Sequence, residues 1–456
     1  MLSMLHLKPE DVDTIEKRAK YTITIMGSQQ DSLLYSCLLA DAGFSVICTD
    51  YDQNLVNLLA KGRAAFLQRE AEAAFKNHVK RGRIIATGDA KTAISRGNAI
   101  IVSTPVEIDQ KKKPDYSDIE KACKLVGASI RQDSLVIIAS TVGVGIVDGL
   151  IRETLENTSG FRVGTEIGLA YSPILASQVQ NLENGLDREQ IVAASDKTSL
   201  NAASTILEPI SKKGLKKTLS VKTAETIVLF EAARREVDNA FANEFAVLCE
   251  KAGVDYLEAQ KLRTQGPATF TSLANSEAST EDASYVLLDD AENLSMKLRT
   301  VQVARETNDD VARHAANLVG EALRNCGRTF RRSKVSILGI SETPNMKSPP
   351  KRLVRKITKI METRGAKINV YDPYFSNESS AAGRPLKKNL TEALEGANCI
   401  VLITPHDLFK RLSLNRLKVM MKMPAAIVDL TGVFEPTKVE KEGLVYRGLG
   451  RGVWKK

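Results

Sequence analysis

Two hydrophobic patterns alternate along this chain, and their order predicts its architecture. From Tyr21 to about Leu207, short apolar runs (TITIMG, SVICTD, AIIVSTP, SLVIIAST, GLAYSP and QIVAAS) are mostly separated by segments of helical length. Such alternation predicts a parallel sheet with helices on both faces, with TITIMG in its middle. From Thr223 the strand signals stop, and TAETIVLFEAARREVDNAFANEFAVLCEKAG carries apolar residues at three- and four-residue steps up to Gly253, a suitable C-cap. Alternation resumes at SKVSILGI and continues through RGAKINVYDPYF, ANCIVLIT and PAAIVDLTG to YRGLGRG.

The expected fold class is α/β: two doubly wound Rossmann-like domains joined by a long central helix and a helical bridge. The expected boundaries are an N-terminal extension at 1–20, an N-terminal domain of the dinucleotide-binding type at 21–215, a central helical dimerisation region at 216–325 and a C-terminal domain at 326–456. The helix from Thr223 to Gly253 is long enough to bridge two domains. An exposed apolar stripe on it is a natural contact with a second copy or another chain. SETPNMKSPP and FSNESSAAGRP are expected to be the least ordered loops.

Composition narrows the class. The chain has 456 residues, 43% of them hydrophobic and 26% charged, which suits a protein with two or three buried cores. No apolar run is long enough to cross a membrane, and the opening MLSMLHLKPEDVDTIEKRAK is too charged for a secretory signal, so a cytoplasmic location without membrane partners is expected. The six cysteines stand singly, without metal spacing, and are expected to be buried reduced thiols. The net charge of +9 is uneven: Arg324 to Lys367 holds thirteen Lys and Arg against Glu342 and Glu362. That segment is either a solvated face or a site for a phosphate-bearing or acidic partner. The absence of a helix-turn-helix or RNP signature counts against sequence-specific nucleic-acid recognition.

The turn after TITIMG carries candidate chemistry. A dinucleotide site needs GxGxxG there: one glycine for the turn, one for close approach to the pyrophosphate, one for helix packing. The chain has Gly27, Gln29 and Ser32 at these positions, and Asp50 where an acid would bond the ribose hydroxyls. The turn glycine and the ribose acid remain, while Gln29 obstructs the pyrophosphate end, so weak or absent NAD binding is expected.

Over nearly its whole length the chain resembles the UDP-glucose/GDP-mannose dehydrogenase family, and most of all its archaeal UDP-N-acetylmannosamine dehydrogenase branch. The resemblance is carried by DYDQNLVNLLAKG, STP at Ser103 to Pro105, STVGVG at Ser140 to Gly145, AYSP, TAE at Thr223 to Glu225, FANE, ARETND, VYDPYF, PHDLF and YRGLGRG, in order and at family spacing. It implies a two-step, NAD-dependent oxidation of a nucleotide sugar to a uronic acid. A cysteine thiolate captures the aldehyde, and a lysine and an asparagine of the central helix stabilise the oxyanion. Thr104 and Thr141 resemble threonines that line the cofactor and the reacting centre.

The residues that carry this chemistry are missing from their expected places. The family pattern TAExxKLxEN puts lysine at Val228 and asparagine at Ala232. The motif GGHCxPxDPYFL, counted back without a gap from Asn308 and Asp309, falls on Ser276 to Leu287, with Ser279 at the cysteine and Ala283 at the aspartate. A serine without a neighbouring base is no substitute for a thiolate. The lysine and arginine of YKPxxxDxRxSP are replaced by Thr343 and Met346 in a shorter loop. The leading expectation is a non-catalytic homologue, a pseudoenzyme with a structural, binding or regulatory role, needing no cofactor and forming a homodimer or heteromer through Thr223 to Gly253. The alternatives are a UDP-N-acetylmannosamine-type oxidoreductase of altered chemistry that still uses NAD, and a polyanion-binding protein using Arg324 to Lys367.

Overall fold

A computed structural model describes residues 3–64, 67, 69–174, 189–262, 278–375, 380–381 and 383–452, with backbone alone at 69, 278–281, 380 and 384. Two compact units emerge, Met1–Ala232 with Asp282–Lys297, and Ala233–Glu281 with Leu298–Lys456. The helical stretch read as a region of its own at 216–325 is shared between them, because the long helix α2 (Val221–Ala252) contributes its first third to the core of one and the remainder to the other.

The first unit is built on an eight-stranded sheet: β1 (Thr22–Met26), β2 (Ser45–Thr49), β3 (Ile84–Thr87), β4 (Ala99–Val102), β5 (Leu135–Ile138), β6 (Gly168–Tyr171), β7 (Gln190–Ala193) and β8 (Leu215–Thr218). The order is β8-β7-β6-β5-β4-β1-β2-β3, with β1 between β4 and β2. Every pairing is parallel except β6 with β7, which meet antiparallel at the single pair Tyr171 and Ala193. This corrects the expectation of a wholly parallel sheet.

Both faces of the sheet are covered. Ile23 and Ile25 pack with Leu33 and Leu39 of α1 (Gln30–Asp41) on one side. Ile100, Val136 and Ile138 pack with Ile119, Val126 and Leu155 on the other. The extension before β1 joins this unit through Met4, Leu7 and Val12, all buried in the α1 side of the core.

In the second unit β9 (Lys334–Leu338), β10 (Lys367–Tyr371), β11 (Cys399–Leu402), β12 (Ala426–Asp429) and β13 (Val445–Gly448) form an all-parallel sheet ordered β10-β9-β11-β12-β13. Helix α3 (Ala278–Asn293) belongs to the first unit from Asp282 on, whereas α4 (Arg299–Asn325) and α5 (Arg352–Thr363) belong to the second. Two sequence motifs find structural work here. Arg305 of ARETND is ion-paired with Glu236 in the interior. In YRGLGRG the Gly450 N–H donates to Glu250 Oε1 at 2.8 Å. All six cysteines are buried and unpaired.

Candidate functional site

Strand β1 delivers Gly27 into a left-handed turn (φ 99°), where a Cβ would stand 2.8 Å from the Ser103 carbonyl oxygen. Only glycine suits that place. Gln29 follows as the exposed N-cap of α1 in extended backbone (φ −75°), without a side-chain cap bond. Ser32 is fully buried and donates from Oγ to the Gln29 carbonyl at 2.9 Å, so it allows the close helix packing that a third glycine would allow. Asp50 ends β2 with Oδ2 accepting from Ser28 N–H at 2.7 Å and Oδ1 from Asp52 N–H at 3.0 Å. Thr104 and Thr141, both half-buried, follow β4 and β5. Gly27, Asp50, Thr104 and Thr141 are thus brought to the carboxyl ends of four consecutive strands, where doubly wound sheets take ligands.

These residues fit a dinucleotide at one end only. Asp50 retains lone pairs for ribose hydroxyls. The pyrophosphate end carries the Gln29 side chain where bare backbone is required. Asp31 places a carboxylate in the first turn of α1, a like charge at the helix end that would face the pyrophosphate. As built, the site does not fit NAD.

Beside it, the STVGVG turn and the residues after it present backbone donors, and side chains of the protein take four of them. Gly143 N–H reaches the Tyr116 hydroxyl at 3.1 Å, and Val144 N–H reaches Asp290 Oδ2 at 2.9 Å. Gly145 and Val147 N–H reach the two oxygens of Glu225 at 2.6 and 2.9 Å. Burial pushes the Glu225 carboxyl above its ordinary range, against the pull of its two N–H bonds. Burial does the same to Asp290, with Asp289 adding to it. Helix α3 is fixed over this turn by Lys113, which pairs with Asp289 at 2.6 Å and with Glu292.

The remaining positions sit in hydrocarbon. Val228 is buried in a cluster with Val142, Val147 and Tyr171. One turn on, Ala232 packs in a second cluster with Leu229 of α2 and with Ala283 and Val286 of α3. The expected asparagine and aspartate positions therefore fall in one small apolar cluster. Ser279 lies in the first turn of α3, but its side chain, like all of Ser276, is outside the described residues.

In the second unit the strand order reverses between β9 and β11, the usual place for a ligand crevice. Here it is closed. A Cβ on Gly339 would lie 2.6 Å from the Thr404 carbonyl oxygen, and Thr404 Oγ1 donates to the Ser341 carbonyl at 2.6 Å. Asp372, buried, accepts from Ile340 N–H, Ser341 N–H, Ser341 Oγ and His406 Nε2 at 2.8 to 3.0 Å. Burial pushes its carboxyl up, but the His406 bond and charge and the two N–H groups outweigh this and hold it below the usual range.

His406 Nδ1 accepts the Asn345 N–H at 2.9 Å. Its other nitrogen therefore carries the proton toward Asp372. The loop SETPNMKSPP is accordingly packed rather than loose: Met346 is buried, and Thr343 N–H reaches Ser348 Oγ at 2.8 Å. Of FSNESSAAGRP, residues 376–379 and 382 lie outside the described residues. Buried Lys351 has its ammonium brought down to about 8 by desolvation, against Glu342.

Comparison with known proteins places the fold in a family. Residues 21–212 match the profile of the UDP-glucose/GDP-mannose dehydrogenase family, NAD binding domain, and residues 336–436 match that family's UDP binding domain. The chain belongs to the UDP-glucose/GDP-mannose dehydrogenase family. It is 25% identical to the UDP-N-acetyl-D-mannosamine dehydrogenase of Pyrococcus horikoshii over 436 residues, 94% of this chain and 99% of that protein. It is also 25% identical to the UDP-glucose 6-dehydrogenase of Rhizobium meliloti, over 94% of this chain and 99% of that one. The solved UDP-N-acetylmannosamine dehydrogenase structure from Pyrococcus horikoshii superposes with a TM-score of 0.83 at 23% identity, covering 95% of this chain and 100% of that one. The UDP-glucose dehydrogenase of Pyrobaculum islandicum gives 0.80 at 18%, covering 94% and 98%.

Within the family framework, the structure adds residues the sequence reading did not single out. Glu225, Asp372 and His406 stand inside TAE, VYDPYF and PHDLF, motifs that carry the resemblance, so a signal for them was present. Tyr116 likewise stands inside PDYSDIEKA, which follows STP and carries the resemblance too, whereas Asp290 and Lys351 stand in no motif and become visible only through their partners.

Proposed function

We propose that this chain is a non-catalytic member of its family, retained for what its surfaces bind. The observation that carries the reading is the burial of Ala232 and Ala283 in one small apolar cluster, with Val228 buried one turn before Ala232. The oxidation implied by the family needs an ammonium and an amide to meet developing negative charge, and methyl groups supply neither. The misfit of Gln29 and Asp31 to a pyrophosphate supports the same reading, and no cofactor is expected. A cytoplasmic location is part of the proposal, and no helix among the described residues is long and apolar enough to cross a membrane.

The partner surface we favour is α2. Phe230, Phe241 and Leu248 are each more than half exposed, at spacings that share a helix face. A second copy of the chain or a catalytic relative would cover that stripe.

A second reading, an NAD-dependent nucleotide-sugar oxidoreductase of altered chemistry, draws on Gly27, Asp50, Thr104 and Thr141 standing along one sheet edge. Calorimetric titration with NADH and with UDP-N-acetylmannosamine separates the two. The first predicts no NADH binding below millimolar concentration; a micromolar dissociation constant for NADH would favour the second.

A further inference from the structure

The basic segment has a shape that the sequence does not show. Helix α5 turns Val354, Ile357 and Met361 into the core of the second unit, which leaves Arg355 and Lys359, one turn apart, exposed on its outer face. The helix ends at Thr363, and the chain folds back against the turn before β9. A Cβ on Gly365 would lie 3.3 Å from the Arg331 Cα, and Lys367 N–H reaches the Ser333 carbonyl at 2.8 Å. Arg331, Arg332 and Lys367, all exposed, therefore continue the line begun by Arg355 and Lys359, around the amino ends of β9 and β10. Arg332 holds a left-handed backbone (φ 68°), a conformation that favours glycine.

The geometry points to this stripe as a docking surface for the phosphate backbone of a nucleic acid, bound without regard to base sequence. Charge complementarity carries the argument. Five exposed cations follow one line, and none of them has a carboxylate partner among the described residues. Nearby charges that are engaged fall outside the count, such as Lys356 on Asp309 at 2.6 Å and Arg364 on Asn317 at 2.9 Å. Adjacent cations on the helix stand about 5–6 Å apart, a spacing that suits a regular polyanion.

A membrane surface would call for apolar side chains to insert beside the cations. No large hydrophobic residue from 324 to 367 is exposed. A protein partner would call for aromatic anchors, and the stripe offers none. With no element placed to enter a groove, only backbone contact remains, and three of the five cations are arginines, whose planar fork matches phosphate. The stripe lies at the opposite end of the sheet from the closed crevice, and the inference does not depend on whether chemistry has been lost.

The test is fluorescence anisotropy of the purified full chain with a short labelled DNA duplex and a labelled RNA strand of mixed sequence, alongside anionic phospholipid vesicles. Five phosphate contacts predict a log–log salt slope near −4.5 on duplex DNA, a loss of roughly 500-fold between about 50 and 200 mM salt. Arg355→Glu with Lys359→Glu should weaken binding at least tenfold and flatten the slope by about two, while Lys212→Glu with Lys213→Glu, on a loop of the first unit, should change little. Circular dichroism confirms that both variants are folded. No binding at about 50 mM salt, a flat salt response, a folded stripe variant of unchanged affinity, or vesicles bound more tightly than nucleic acid would each overturn the inference.

Discussion

Glu225 uses both carboxylate oxygens on backbone N–H groups of one turn. In Glu225→Gln one of those N–H groups faces an amide NH2 and loses its acceptor, at a cost of about 1–3 kcal/mol. The pH dependence has a definite sign. The folded pKa lies above the ordinary 4.5, so the stability linked to this group is fully present below that value and is lost as pH rises through the folded pKa. Urea unfolding should therefore show a larger deficit for the variant near pH 5 than near pH 8. Asp372 runs the other way: its folded pKa lies below 3.8, so its contribution is present above that value and lost as pH falls through the folded pKa.

At the scale of elements, α2 makes the clearest claim. If its exposed stripe is covered by a second copy, replacing Phe241 and Leu248 by aspartate should convert a dimer to a monomer in light scattering while leaving the circular dichroism intact. An unchanged mass would remove α2 as the contact. The strands that the sequence announced are those buried on both faces, where apolar runs have no competing explanation. The two it did not announce, β3 and β8, lie at the sheet's edges. In β8 the exposed Lys216 and Lys217 interrupt any apolar run, as edge strands commonly do to avoid further pairing. The loop SETPNMKSPP read as loose because its composition is that of a turn. What holds it is His406, about sixty residues further along, and contacts at that separation leave no local pattern. Asp290 escaped notice for the same reason, since its partner Val144 lies 146 residues before it.

For the whole molecule, the account is that two ligand-facing sheet ends have been turned inward. In the first unit Tyr116, Asp290 and Glu225 take donors in and just after the STVGVG turn, and Ala232 and Ala283 share an apolar cluster. In the second, Asp372, His406 and Asn345 are linked by hydrogen bonds beside the ends of β9 and β11. The most direct test is the appearance of NADH absorbance when the purified chain is given NAD with UDP-N-acetylmannosamine or UDP-glucose at saturating concentration. The account predicts no turnover above the protein-free control. A rate on the order of one per second, ordinary for an enzyme, would contradict it.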